Sequence, residues 1–215
     1  ISDYAFYNCS LAVEVSLSDD ISRIGDYAFY GCSMVLKFNS ETACEVSIPN
    51  SCVSIGTHAL HGTGLIRNLV VSDSVETIGA GAFQGLNSLE SITLPFVGKQ
   101  ENSTSITERT FGYVFGENNV SGASEYKTSG GTTYQGYSYS SYQTMYTVYY
   151  IPSTLVDVTI TRQTIIPGNA FYNCDCIKNM TIPTDAEQIG SKAFYNCSNI
   201  VRFNGAADGE FNIPG

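Results

Sequence analysis

The chain has 215 residues, 43% of them hydrophobic and 14% charged, with a formal net charge of -10. It has 10 Lys and Arg and no basic run, so it lacks the clustered cations that phosphate recognition needs; nucleic acid and anionic membrane surfaces are excluded as partners. No apolar run approaches the roughly 18 residues of a membrane span, so no direct membrane insertion is expected in this segment.

The chain opens inside a phrase, "ISDYAFYNCS", that returns along its length. Aligned on its alanine, the phrase places Ala5, Ala28, Ala59, Ala82, Ala170 and Ala193 in one slot, at steps of 23, 31, 23, 88 and 23 residues. Four residues earlier stand Ile1, Ile24, Ile55, Ile78, Ile166 and Ile189. One residue later come Phe6, Phe29, Leu60, Phe83, Phe171 and Phe194, and three further on Cys9, Cys32, Thr63, Leu86, Cys174 and Cys197. A seventh, weaker copy is read at "ITERTFGYV", with Ile106 before Thr110 and Phe111. A unit of 23 residues cannot bury its own Ile, Phe and Cys, but units stacked about 4.8 Å apart can share one core.

Between the copies run alternating β-branched stretches that predict short, half-buried strands: 13–17, 45–49, 68–72, 91–95, 158–160, 179–183 and 210–214. Several end in Pro, which stops pairing on that chain. The 31-residue step is a second form of the unit, since a shift of 165 residues carries Phe38 onto Phe203, Glu45 onto Glu210 and Pro49 onto Pro214. The opening lacks a signal-peptide pattern, and because Ile1 already stands inside a repeat the chain is expected to be a segment of a larger protein.

The rhythm breaks at about 97–150. Eight of the chain's 15 Tyr fall between Tyr126 and Tyr150, amid Ser, Thr and Gly. This is the composition of binding loops, where Tyr supplies rigid amphipathic contact. The stretch reads either as a hairpin or flap covering the stack, or as an exposed platform of Tyr137, Tyr139, Tyr142 and Tyr146 for a protein or glycan.

These residues resemble the BspA-like (Treponema-type) leucine-rich repeats, whose pattern is followed by "NCSNIVRF", "IPNSCVSIGTHAL" and "SVETIGAGAF" over roughly residues 1–96 and 151–215. The resemblance implies a mainly β fold: one right-handed solenoid of about six or seven coils, with parallel strands on the concave side and turns or short helices opposite. It also implies an extracellular or cell-surface bacterial protein used in adhesion. Leu60, Thr63, Leu86 and Pro167 depart from the pattern.

A second candidate surface is the concave sheet, whose outward residues would be Ser16, Ser47, Val70, Thr93, Thr159, Thr181 and Asn212. The preceding row, Glu14, Glu45, Asn68, Ser91, Asp157, Asn179 and Glu210, would make both ends acidic and favour a basic partner. The seven cysteines are an odd number. Four occupy the repeat slot and read as buried free thiols; the spacing leaves a Cys44–Cys52 bridge open, against poor geometry. His58 and His61 have metal-like spacing but no third ligand near in sequence, and His61 takes a place held by Tyr or Gln in sister repeats, pointing to an exposed turn. No Ser/His/Asp set and no phosphate-cradling Gly loop is present, so neither an enzyme nor a cofactor is expected. The expected role is non-catalytic binding of a host or neighbouring-cell macromolecule. A structural spacer and a carbohydrate-binding module are the rivals.

Overall fold

The computed structural model describes residues 1–40, 42–63, 65–117, 149–205 and, as backbone, 125–126, 133–137 and 144–147. Eight parallel strands form the main sheet in the order Glu14–Val15, Lys37–Phe38, Glu45–Ser47, Asn68–Val70, Ser91–Leu94, Asp157–Ile160, Asn179–Thr181 and Arg202–Phe203. Their inward row, Val15, Phe38, Val46, Leu69, Ile92, Val158, Met180 and Phe203, is paired rung to rung. All of these but Val15, in the first strand, are buried.

Opposite the sheet, the repeat phrases stack as turns. Each turn donates from its Phe-slot amide to the Ala-slot carbonyl of the next: Phe6 to Ala28 (2.8 Å), Phe29 to Ala59 (2.8 Å), Leu60 to Ala82 (2.9 Å) and Phe171 to Ala193 (2.8 Å). The rings follow the backbone. Phe6 lies on Phe29 at 5.1 Å and Phe171 on Phe194 at 5.2 Å, both nearly parallel. Leu60 fills the same column where a ring is missing, and it is fully buried. Coils thus hold one another through the same slot, as a quasi-one-dimensional stack requires.

Between turn and sheet, the repeat isoleucines add short parallel strands: Arg23–Ile24, Ser54–Ile55 and Thr77–Ile78 in one ladder, Ile165–Ile166 and Gln188–Ile189 in another. The glycine after Ile24, Ile55, Ile78 and Ile189 is a contact requirement. A Cβ on Gly56 would lie 2.5 Å from Asp26 N, and one on Gly79 2.3 Å from Thr57 N. The ladder stops at the fifth coil. Ile78 instead donates to the Lys99 carbonyl at 2.7 Å, so Pro167 stands where no preceding strand abuts it.

The 31-residue unit contains one strand more than the sequence reading assigned. Lys37–Phe38 and Glu45–Ser47 both enter the main sheet, side by side, joined by a short return. The sheet side therefore gains one strand spacing that the turn side lacks, while Phe29 and Ala59 still bond directly across the turns. An asparagine makes the return possible. Asn39 takes φ 51° and its Oδ1 accepts from Leu17 N at 3.2 Å, capping the neighbouring strand as the chain turns away. Asn204 repeats this, with φ 52° and Oδ1 accepting from Ile182 N at 2.8 Å. Phe29–Phe38 and Phe194–Phe203 are matching edge-on pairs. The 165-residue relation is thus structural as far as Asn204; the expected strand at 210–214 lies outside the described residues.

Ser91–Leu94 pairs directly with Asp157–Ile160, so everything between them is one coil and its excursion. Residues 97–116 belong to the stack: Val97, Phe111, Val114 and Phe115 are buried. The 3-10 turn Phe111–Phe115 faces both ways, Val114 O accepting from Phe83 N (2.8 Å) and Phe111 N donating to Ala170 O (2.9 Å). Phe111 thus takes the Phe slot read for the weak copy, but the carbonyl that meets Phe83 is that of Val114 rather than Thr110, and Ile106 is exposed. Tyr149 closes this coil, buried with its hydroxyl donating to Thr107 O at 3.0 Å. Thr161 and Arg162 tie the returning chain back to Asp73, and Arg162 lies over Phe96 at 5.6 Å.

Candidate ligand-binding faces

The sheet face is built from two outward rows. Ser47, Val70, Thr93, Thr159 and Thr181 lie in one register, each paired to the next. Their side chains project between the buried inward residues because strand periodicity is two. The row crosses the point where the excursion leaves, since Thr93 pairs with Thr159. Ser16 is exposed but lies just past its strand, and Asn212 lies outside the described residues.

The second row departs from expectation in its charge. It runs Glu14, Lys37, Glu45, Asn68, Ser91, Asp157, Asn179, Arg202. Lys37 stands between the two glutamates, and Arg202 occupies the last described strand. The expected acidic first end is therefore corrected to alternating charge, while Glu210, on which the other end rested, lies outside the described residues. The cause is the pair of strands missed at Lys37–Phe38 and Arg202–Phe203, which put two cations onto the face. The sequence carries only an apolar trace of these strands, too short to define a strand, in "VLKF" and "IVRF", where Val35, Phe38 and Phe203 are buried. In the middle of the row Asn179 donates to Asp157, so neutral amide and hydroxyl groups dominate the centre.

The tyrosine platform is only partly placed. Tyr137 ends the strand Thr133–Tyr137 and Tyr146 lies in Thr144–Thr147; the two strands pair antiparallel with Tyr134 opposite Tyr146 and Tyr137 opposite Thr144. Tyr139 and Tyr142 lie outside the described residues. A second short antiparallel pair joins Ile151–Pro152 to Glu125–Tyr126. The sheet row and the hairpin tyrosines are not brought together by any described contact.

The turn face carries aromatic columns that the sequence reading passed over. Tyr4 stacks on Tyr27 at 5.0 Å and Tyr7 on Tyr30 at 5.0 Å; His58 and His61 continue the two columns, 5.1 Å from Tyr27 and 4.3 Å from Tyr30. The expectation of an exposed turn at His61 is thereby corrected: stacking and the next coil half-bury the ring. Burial pushes its pKa down to about 4, helped by the neighbouring His58, whose own value is also lowered by burial.

All seven cysteines are free. In the repeat slot Cys32 donates to Phe6 O (3.3 Å) and Cys197 to Phe171 O (2.9 Å), each in the preceding coil, whereas the Thr63 hydroxyl donates within its own turn, to Leu60 O at 2.9 Å. The expected buried ladder holds at Cys32 and Cys174, but Cys9 in the first coil is exposed and Cys197 is half-buried. Burial pushes the thiols of Cys32, Cys52, Cys176 and Cys197 up, which keeps them protonated and inert. Among the described residues no group of three or more His, Cys, Asp or Glu is placed to hold a metal ion, and no helix is long and apolar enough to cross a membrane.

Parallel strands in one ladder, turns in another and a shared Ile/Phe/Cys core define a leucine-rich-repeat solenoid. A family model for the BspA type leucine-rich repeat region matches residues 1–139 and 143–208 in six copies, and the chain belongs to that family. Among solved structures it is similar to a leucine-rich repeat protein of T. pallidum, with 17% identity and TM-score 0.43 over 96% of this chain and 63% of that one. A leucine-rich cell surface protein from Faecalibacterium prausnitzii shows 20% identity and TM-score 0.41 over 94% of this chain and 44% of that one. A leucine-rich repeat protein from Bacteroides ovatus shows 18% and 0.36, over 94% and 58%. The chain thus spans less than two thirds of each of these proteins. No curated protein matches it.

Proposed function

We propose that this chain is a non-catalytic binding module of a secreted or cell-surface protein, and that its sheet face recognises a macromolecule of a host or neighbouring cell. One observation carries the reading. The outward row from Ser47 to Thr181 stays in register across the departure of the excursion, leaving an uninterrupted strip of small side chains. Such a strip offers hydroxyl and amide groups at strand spacing without long side chains to order on binding. Because Lys37 and Arg202 offset Glu14, Glu45 and Asp157, the face suits a neutral polar partner better than a strongly basic one.

The test is a pair of substitutions, Thr93→Arg and Thr159→Arg, in an adhesion assay on host cells with a glycan array alongside. Loss of adhesion by the double variant, with an unchanged melting temperature, supports the sheet face. Unchanged adhesion that instead vanishes with Tyr137→Ala and Tyr142→Ala moves recognition to the hairpin, and a matching loss on the glycan array makes it a carbohydrate module. Wild-type protein that binds neither cells nor glycans is a spacer. The hairpin reading has its own support in the antiparallel strands Thr133–Tyr137 and Thr144–Thr147, which belong to neither repeat ladder.

A further inference from the structure

His58 and His61 replace tyrosines in the two columns of the turn face, and their surroundings differ from those of the tyrosines they follow. Their rings meet edge to face at 5.6 Å. Nδ1 of each is buried and has no hydrogen-bond partner. On the far side, the fourth coil presents Gly81 and the buried Gln84 rather than further rings. A Cβ on Gly81 would lie 2.6 Å from the His58 ring, so the imidazole occupies the space a side chain would need.

The same spot anchors the excursion. A Cβ on Gly116 would lie 3.1 Å from the Gln84 side chain and 3.2 Å from Gly81, and Tyr150 N donates to Gly116 O at 3.3 Å where the chain comes back. The imidazole pair, Gly81, Gln84 and Gly116 are therefore consecutive layers at the root of the excursion.

We propose that His58 and His61 form an acid-sensitive latch, whose protonation loosens the third turn and with it the root of the excursion at Gly116. Charging either ring takes a cation into a half-buried site, and the second proton adds a like charge beside the first; backbone hydrogen bonding offsets only part of that cost. The groups facing the pair are few. From the second coil come Tyr27 and Tyr30, and Asp26, which attracts a charged His58; from the fourth come Gly81, whose backbone bonds His58, and the uncharged amide of Gln84. The face of Tyr30 favours a cation. Burial outweighs these attractions, as the lowered values of both imidazoles indicate.

The sign follows from linkage. An unfolded imidazole takes up its proton near pH 6.5, whereas the folded His61 resists until about 4. Stability is fully present above the unfolded value and falls as pH drops, by up to about tenfold in the folding equilibrium per pH unit for such a group, until the folded value is reached.

The latch is tested with the double variant His58→Tyr/His61→Tyr, which restores the residues of the first two coils. Thermal melts and limited proteolysis at pH 7 and pH 4.5 are compared with wild type, so that the shared response of the carboxylates cancels. The expected result is a larger acid loss of melting temperature in wild type, with faster cleavage within 117–150 at pH 4.5, both reduced in the variant. Equal acid responses overturn the proposal. Imidazole titration of the wild-type protein by NMR is an independent arm, informative even if the double variant does not fold: apparent values well below 6.5 are expected, and values at or above 6.5 overturn it.

Discussion

Gly56→Ala is the sharpest perturbation of the stacking geometry. In an ordinary exposed turn such a change stabilises a protein by about 0.4–1 kcal/mol, because it narrows the unfolded ensemble. Gly56 is not in the left-handed region, so conformation alone predicts that gain. Packing predicts the reverse. The added methyl would sit 2.5 Å from Asp26 N, Asp26 Oδ1 and Gly25 C, all in the preceding coil. Reaching ordinary contact means opening the second and third coils by roughly 1 Å where Gly56 N donates to Ile24 O (2.8 Å) and Thr57 N to Asp26 Oδ1 (2.7 Å). Overpacking costs about 1–3 kcal/mol, and backbone that cannot rotate aside puts this site near the upper end. The net loss is about 2 kcal/mol, or roughly 4–8 °C in melting temperature for a domain of this size. Gly168→Ala is the control, since its nearest neighbour is Ser191 O at 3.1 Å and the next contact is at 3.7 Å. Calorimetry of the two variants decides the matter. A Gly56→Ala protein that melts at or above wild type would refute coil contact as the reason for this glycine.

Asn39→Ala removes both the cap on Leu17 N and a residue suited to φ 51°, and should cost about 1–2 kcal/mol in urea unfolding. Asn39→Gly should recover part of that loss by tolerating the backbone angle, whereas equal losses would show that the angle is irrelevant. For the thiols, aromatic disulfide titration of the native protein should show Cys9 reacting fastest, the half-buried Cys44 and Cys197 more slowly, and Cys32, Cys52, Cys174 and Cys176 only after unfolding. Several fast groups in the native state would contradict the buried column.

The repeat itself is legible in the sequence because a stacked coil turns sequence period directly into spatial contact. Ile24, Phe29 and Cys32 meet residues of the same slots in the neighbouring coils, so aligning the copies already names the core. The same logic let Leu60 and Thr63 be read as substitutes within their columns, and the structure shows both fully buried there, the Thr63 hydroxyl satisfied within its own turn. Lys37–Phe38 was not legible as a strand of its own. Two residues have almost no intrinsic preference, and only the eight-residue register offset to Glu45–Ser47 and the Asn39 cap define their pairing. That return also decided the charge of the sheet face, by placing Lys37 between Glu14 and Glu45. Burial of His58 and His61 likewise depends on neighbours 23 to 31 residues away, Tyr27, Tyr30, Gly81 and Gln84, which no local pattern reports. The sequence by itself determined the period and the residues that repeat with it, since every coil must fill the slot its neighbour leaves. The tertiary structure alone decided where the period is stretched, which charges share a face and which polar rings are covered, because those depend on what each coil meets across the stack.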